Sequence, residues 1–361
     1  MVAADRISAL PDGILQHVLG FLQADEAVRT SVLAPCWRDL WRTMPVLRIT
    51  RRRVFVQSIR RFMDHLFLLR DRSGLLDALL IDCVRHLEDD ALNINLWIRD
   101  PGTHCCARPR WCACPWHADV RGHVSLYPPL VSNHLTRLEL HGPTLQAQYL
   151  DFSRCPGLKD LKMTSCKICT GVVSSLSLER LCIDQCSFGG DDRRRTRISA
   201  PRLTWLKLTA NSGRTPVLED MPLLVTAEVF IDDKSEDTCQ YKDQGYCDEN
   251  SCVNCYGSDD GSAGCVLLQG LAAAAELKLR SVPQAVLLDW RFCPTFSKLK
   301  TLLLDGWCVG TTDNALCILQ HTPVLENLTL ELLKVSLFVA QISMCYHTYH
   351  RSINVQLRHF S

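Results

Sequence analysis

The chain has 361 residues, enough for two or more domains, and 47% of them are apolar, so a sizeable core is expected. Forty Lys and Arg stand against 39 Asp and Glu, a net charge of +1, which gives no general attraction to nucleic acid or to an anionic membrane. The opening residues MVAADRISALPDG lack the basic start and long apolar run of a secretory signal. No run of about eighteen apolar residues predicts a membrane span, and the nearest stretch, LLKVSLFVAQISM, is short and holds Lys334. The 20 cysteines are therefore read as reduced thiols that pack as small hydrophobes, not as a disulfide framework.

The first predicted elements lie in ISALPDGILQHVLGFLQADEAVRTSVLAPCWRDLWR, residues 7–42. Pro11 fits the first turn of a helix, where its missing N–H costs nothing. Ile14, Val18 and Leu22 recur every four residues with Leu15 and Leu19 beside them, one broad apolar stripe. Asp25 is the expected N-cap of a second helix carrying Val28, Val32 and Leu33. Pro35 interrupts, and Trp37, Leu40 and Trp41 predict a third short helix. Three short helices bury only a limited core, so part of this apolar surface is expected to face another protein or the following domain. The stretch offers no nucleophile, metal spacing or phosphate loop. On periodicity alone it reads equally as a helical cap on a larger domain.

LPDGILQHVLGFLQADEAVRTSVLAPCWRDLW resembles an F-box, the motif by which substrate receptors dock on the Skp-type adaptor of SCF (Skp-cullin-F-box) ubiquitin ligases. The resemblance rests on the Leu10-Pro11 opening, the apolar run to Leu22, Val28-Arg29-Thr30, Val32-Leu33, and Trp37 followed by Leu40-Trp41. Ala34-Pro35-Cys36 departs from it, since the family more often has a serine and basic residues there. The resemblance implies an F-box over 5–45 and adaptor contacts from Leu10, Pro11, Ile14, Leu15, Val18, Leu19, Leu22, Val28, Val32, Leu33, Trp37, Leu40 and Trp41.

A linking amphipathic helix is expected over 46–74, because Phe55, Ile59, Phe62, Met63, Leu66 and Leu69 follow helical spacing. Arg51-Arg52-Arg53 reads as its solvated start, with a nuclear signal or nucleic-acid contact as the alternative. From 75 to 335 a pattern L-x-x-L-x-L recurs. It is clear at Leu135/Leu138/Leu140, Leu158/Leu161/Met163, Leu178/Leu181/Ile183 and Leu203/Leu206/Leu208. It weakens at Leu224/Ala227/Val229 and resumes at Ala274/Leu277/Leu279, Leu299/Leu302/Leu304 and Leu325/Leu328/Leu330, with an earlier copy at Leu76/Leu79/Ile81. Most first positions lie 20 to 26 residues apart, the range of leucine-rich repeats.

Each such unit supplies a short strand that cannot bury its apolar face alone, so stacked units predict a solenoid with a strand-lined concave face. The fold class expected is α/β, a three-helix F-box followed by an irregular leucine-rich-repeat solenoid. Outward strand positions become candidate target contacts: Arg137 and Glu139 on one strand, Trp205 and Lys207 on another. Trp205 is either an interface anchor or a ring packed on a neighbouring repeat. An F-box before irregular repeats resembles the plant F-box/LRR proteins, and FSKLKTLLLDGWCVGTTDNALCILQHTPVLENLTLEL resembles the start of their FBD-type C-terminal region. The tail from 336 to 361 is expected not to continue the strand pattern.

Cysteine-rich insertions near 102–118 and 232–265 interrupt the repeats. THCCARPRWCACPWH has poor spacing for tetrahedral zinc. Cys252 and Cys255 form a C-x2-C pair that Cys239 and Cys247 would complete to four thiolates, but the acidic, glycine-rich surroundings read as a surface loop. No metal or other cofactor is assigned.

No P-loop, GxGxxG, HExxH or GxSxG occurs, so no enzyme is expected. The resemblance implies a non-catalytic substrate-recognition subunit of an SCF E3 ligase, joined through a Skp-type adaptor to a cullin–RING core and holding a target protein. No membrane or nucleic-acid partner is expected, and the location expected is cytoplasm, nucleus or both. The alternatives are a repeat scaffold without ligase engagement and a receptor that uses a small-molecule glue.

Overall fold

The structure is a computed structural model that describes residues 7–50, 62, 65–71, 75–82, 124–125, 132–146, 149–189, 195–219, 221–235, 267–281, 293–305, 318–332 and 354–359. The chain forms two compact units, Met1–Ala147 with Asp151–Cys166, and Gln148–Leu150 with Lys167–Ser361.

The first unit opens with helix α1 (Asp12–Leu19), which Pro11 precedes, and α2 (Ala24–Arg29). The cap of α2 is Gln23, not Asp25, because the Glu26 carboxylate accepts the Gln23 backbone N–H in a capping box. Tight 3-10 turns follow at Thr30–Val32, Pro35–Trp37 and Leu40–Arg42, where the sequence pattern suggested one more helix. Pro35 supplies no N–H and sits at the first position of its turn, which suits a short 3-10 start.

The linking helix expected over 46–74 begins instead as strand β1 (Val46–Thr50). Its Leu47 and Ile49 alternate inward with a period of two, and β1 pairs in parallel with β2 (Ala78–Asp82). Helical turns do occur at residues 65–69, within the expected range. Arg70 closes them: its Nη2 donates to the Met44 carbonyl at 2.6 Å, and the Asp71 amide bonds the Arg42 carbonyl. Burial pushes the Arg70 guanidinium down to about 10, against the opposing pull of Asp77. Arg48 of β1 donates to the Gly20 carbonyl just past α1 at 2.7 Å, and Gln16 bonds Thr43 at 2.7 Å. The helices are thereby tied to the first strand of the sheet.

Parallel pairing continues in this unit through β4 (Arg137–His141) to β7 (Asp160–Thr164), while β3 (Val124–Ser125) pairs with β5 (Thr144–Gln146). Strand β6 (Tyr149–Asp151) lies at the sequence boundary between the units.

The second unit carries a longer parallel set. In order it runs β10 (Arg180–Asp184), β13 (Trp205–Gly213), β15 (Thr226–Ser235), β16 (Glu276–Ser281), β17 (Thr301–Asp305), β18 (Asn327–Leu332) and β19 (Asn354–His359). The short strand β11 (Ser187–Phe188) pairs with β13 and also with β8 (Lys167–Cys169). A separate parallel ladder joins β9 (Val172–Ser174), β12 (Arg197–Ser199) and β14 (Val217–Leu218). A single helical turn, α3 (Leu268–Leu271), precedes β16.

The register explains the pattern. Leu181, Leu206, Ala227, Leu277, Leu302 and Leu328 stand opposite one another on successive strands, and the described apolar positions on this line are buried. From Leu135 onward the first apolar residue of each repeat, Ala274 among them, is buried too, just ahead of its strand, while Leu76 is half-buried. Just past β4, β7 and β10, and at the irregularity inside β13, the chain turns at one repeated position. Gly142, Ser165, Gln185 and Ala210 all have left-handed backbone, with φ of 88°, 53°, 54° and 51°. The next residue is Cys166, Cys186 or Asn211 in three of the four cases. The Cys166 thiol donates to the Leu140 carbonyl, and Asn211 accepts the Cys186 amide while donating to the Ile183 carbonyl. These side chains satisfy backbone groups of the preceding repeat. At Gly213, φ is 80° and an added Cβ would collide with the Phe188 carbonyl oxygen, so only glycine fits beside β11.

Two expectations change. The tail from 336 to 361 was expected to break the strand pattern, yet β19 continues it. Alternate apolar positions Val355 and Leu357 fall in register with Leu328 and Leu330. The insertion expected from 232 begins inside β15, which runs on to Ser235. The insertion near 102–118 and the residues Cys239, Cys247, Cys252 and Cys255 lie outside the described residues. Among the described residues no helix is long and apolar enough to cross a membrane.

Candidate functional site

Helix α1 carries apolar residues on two adjacent stripes. Leu15 and Leu19, four residues apart, are fully buried. Ile14 and Val18, one position earlier in each turn, are exposed, and Phe21 extends their line at 67% exposure. Ile7 and Leu10 stand exposed ahead of the helix. Val32 and Leu33, after α2, are exposed at 86% and 68%. Covering a side chain of this kind is worth about 1.5–3 kcal/mol, so the described F-box residues leave roughly 5–10 kcal/mol of burial unused.

The thirteen candidate adaptor contacts therefore divide. Leu10, Pro11, Ile14, Val18, Val32 and Leu33 are exposed. Leu22 and Val28 are half-buried. Leu15, Leu19, Trp37, Leu40 and Trp41 are buried. They build the support under the exposed face: Trp37 Nε1 donates to Ser8 Oγ at 3.0 Å, and the Arg42 guanidinium covers the Trp41 ring at 5.5 Å. Phe21 and Ile7 were missed in the sequence. The spacing Ile14, Val18, Phe21 was the available signal, but the broad stripe hid that one half of it turns inward.

The four candidate target contacts lie at outward strand positions, and each has a partner within the chain. Arg137 pairs with Glu139, Nε to Oε1 at 2.7 Å, and with Asp160 at 3.8 Å. The bond to Glu139 is the chief reason that the Arg137 guanidinium is held above its ordinary range. Trp205 is half-buried with the Arg180 guanidinium stacked over its ring at 4.9 Å. Arg180 and Trp205 are opposed in the β10–β13 register, so the ring does pack on its neighbouring strand. Lys207 approaches Glu228 on β15 at 3.9 Å. Farther along, Arg280 reaches from β16 to Glu331 on β18 with two bonds, 2.9 and 3.1 Å, and Glu331 is 5% exposed. That paired geometry raises the Arg280 guanidinium above its ordinary range. Among the described residues no group of three or more His, Cys, Asp and Glu side chains gathers to hold a metal ion.

A family model described as the F-box domain matches residues 7–49. The meiotic F-box protein MOF of Oryza sativa subsp. japonica is 31% identical over 357 residues, covering 90% of this chain and 71% of that protein. An F-box/FBD/LRR-repeat protein of Arabidopsis thaliana is 24% identical over 372 residues, covering 91% of this chain and 77% of its own length. The chain belongs to the plant F-box/LRR proteins. A second F-box/FBD/LRR-repeat protein of Arabidopsis thaliana is 58% identical, but over 43 residues that make up 12% of this chain and 9% of that one.

The F-box match ends at residue 49 and so takes in most of β1. In this F-box/LRR protein the F-box thus includes a strand of the parallel sheet, which agrees with the Arg48–Gly20 tie. The L-x-x-L-x-L pattern accounts for the repeat part of the family name, since its apolar residues are those that stack in register.

Proposed function

We propose that this F-box/LRR protein is the substrate-recognition subunit of an SCF E3 ubiquitin ligase. It docks on a Skp-type adaptor through the exposed face of its F-box and holds a target protein on its repeats, which stack as a leucine-rich-repeat solenoid. It acts in the cytoplasm or nucleus and supplies no catalytic group. Its contribution is geometric: a tethered target meets the conjugating enzyme at high effective concentration. The observation that carries this reading is the division of α1 into a buried stripe, Leu15 and Leu19, and an open stripe, Ile14, Val18 and Phe21. A helix that only capped the sheet would have no reason to leave the second stripe in water.

The test is adaptor binding by calorimetry with the purified full chain. Ile14→Glu/Val18→Glu is expected to abolish binding while leaving the thermal midpoint unchanged, since both side chains are exposed. Leu33→Glu weakens it. Unaltered binding by the first variant, or no binding by a folded wild-type chain, overturns the docking reading and leaves a repeat scaffold without ligase engagement.

A further inference from the structure

We draw no further inference here: the strongest candidate, the exposed apolar patch of Leu176, Leu223 and Val225 beside Trp205 at the starts of β10, β13 and β15, carries nothing, because Glu179 and Glu276 stand there with Arg180 and Arg202 and nothing in the structure shows what covers it.

Discussion

In α1, Leu15 and Leu19 are buried while Ile14 and Val18 stand in water; in β10 and β13, Leu181, Ile183, Leu206 and Leu208 are all buried and Arg180, Trp205 and Lys207 carry the outward side. A strand sorts its residues by strict alternation, so a repeat that places leucine at every second position leaves no large apolar surplus. A short helix sorts by 100° steps, and six or seven apolar residues within three turns exceed what one face can bury. The F-box keeps that excess as an open surface, and the strands convert theirs entirely into core. The same amino acids thus make an open apolar face in one region and a core in the other.

Truncating one aliphatic side chain from each stripe of α1 breaks this comparison most directly. Leu19→Ala removes a fully buried side chain and is expected to cost about 2–5 kcal/mol, read as a lower urea midpoint with the slope kept. Ile14→Ala, one stripe away, is expected to change stability by no more than about 0.5 kcal/mol. Equal losses would mean that the two stripes are not divided as described.

A smaller effect sharpens the other half of the comparison. Glu331 is nearly buried and receives two bonds from Arg280, whose side chain keeps about a third of its surface in water. Glu331→Gln removes the carboxylate bonded to the guanidinium, leaving only the weaker pull of Glu228 and Asp305, and is expected to cost about 2 kcal/mol, less than a fully buried pair would because Arg280 retains partial hydration. Arg280→Met/Glu331→Leu removes both charges and is expected to recover most of that loss. If the double variant is as weak as the single one, the pair is a packing element and not an electrostatic one.

How much of this was readable from the residues differs by region. The inward leucines from Leu135 to Leu330 were legible because the L-x-x-L-x-L offset is constant, and register follows from it. Strand β1 was not, because VLRIT is brief and the helical spacing of Phe55 to Leu69 downstream dominated the window. β19 was obscured by its isolation from the last clear repeat, although Val355 and Leu357 alternate. At the F-box the apolar residues were legible but not their orientation. Leu15 and Ile14 differ only by where the next strand packs, and that depends on the Arg48–Gly20 and Gln16–Thr43 ties, which no local pattern announces. The outward pairing of Arg137 with Glu139 and Asp160 likewise needs the register, since Asp160 is on the next strand.

The smallest effect concerns the left-handed turn just past β4, β7 and β10 and its counterpart at the bulge inside β13. Gly142, Ser165, Gln185 and Ala210 occupy one repeated left-handed position, and only the first is a residue without a Cβ. An L-residue there costs about 1–2 kcal/mol, while glycine loses about 0.5–1 kcal/mol more conformational freedom on folding. The difference favours glycine, so Ala210→Gly is expected to stabilise the second unit by about 0.5 kcal/mol, seen as a higher urea midpoint. Ala210 is the best of the three sites for this. Its side chain makes no hydrogen bond, and the adjacent Asn211 holds the bulge in β13 through Ile183 and Cys186 whichever residue precedes it. A lower midpoint would show that the methyl group packs usefully in the turn, and that the repeats tolerate left-handed side chains there because the stacked strands on either side impose the conformation.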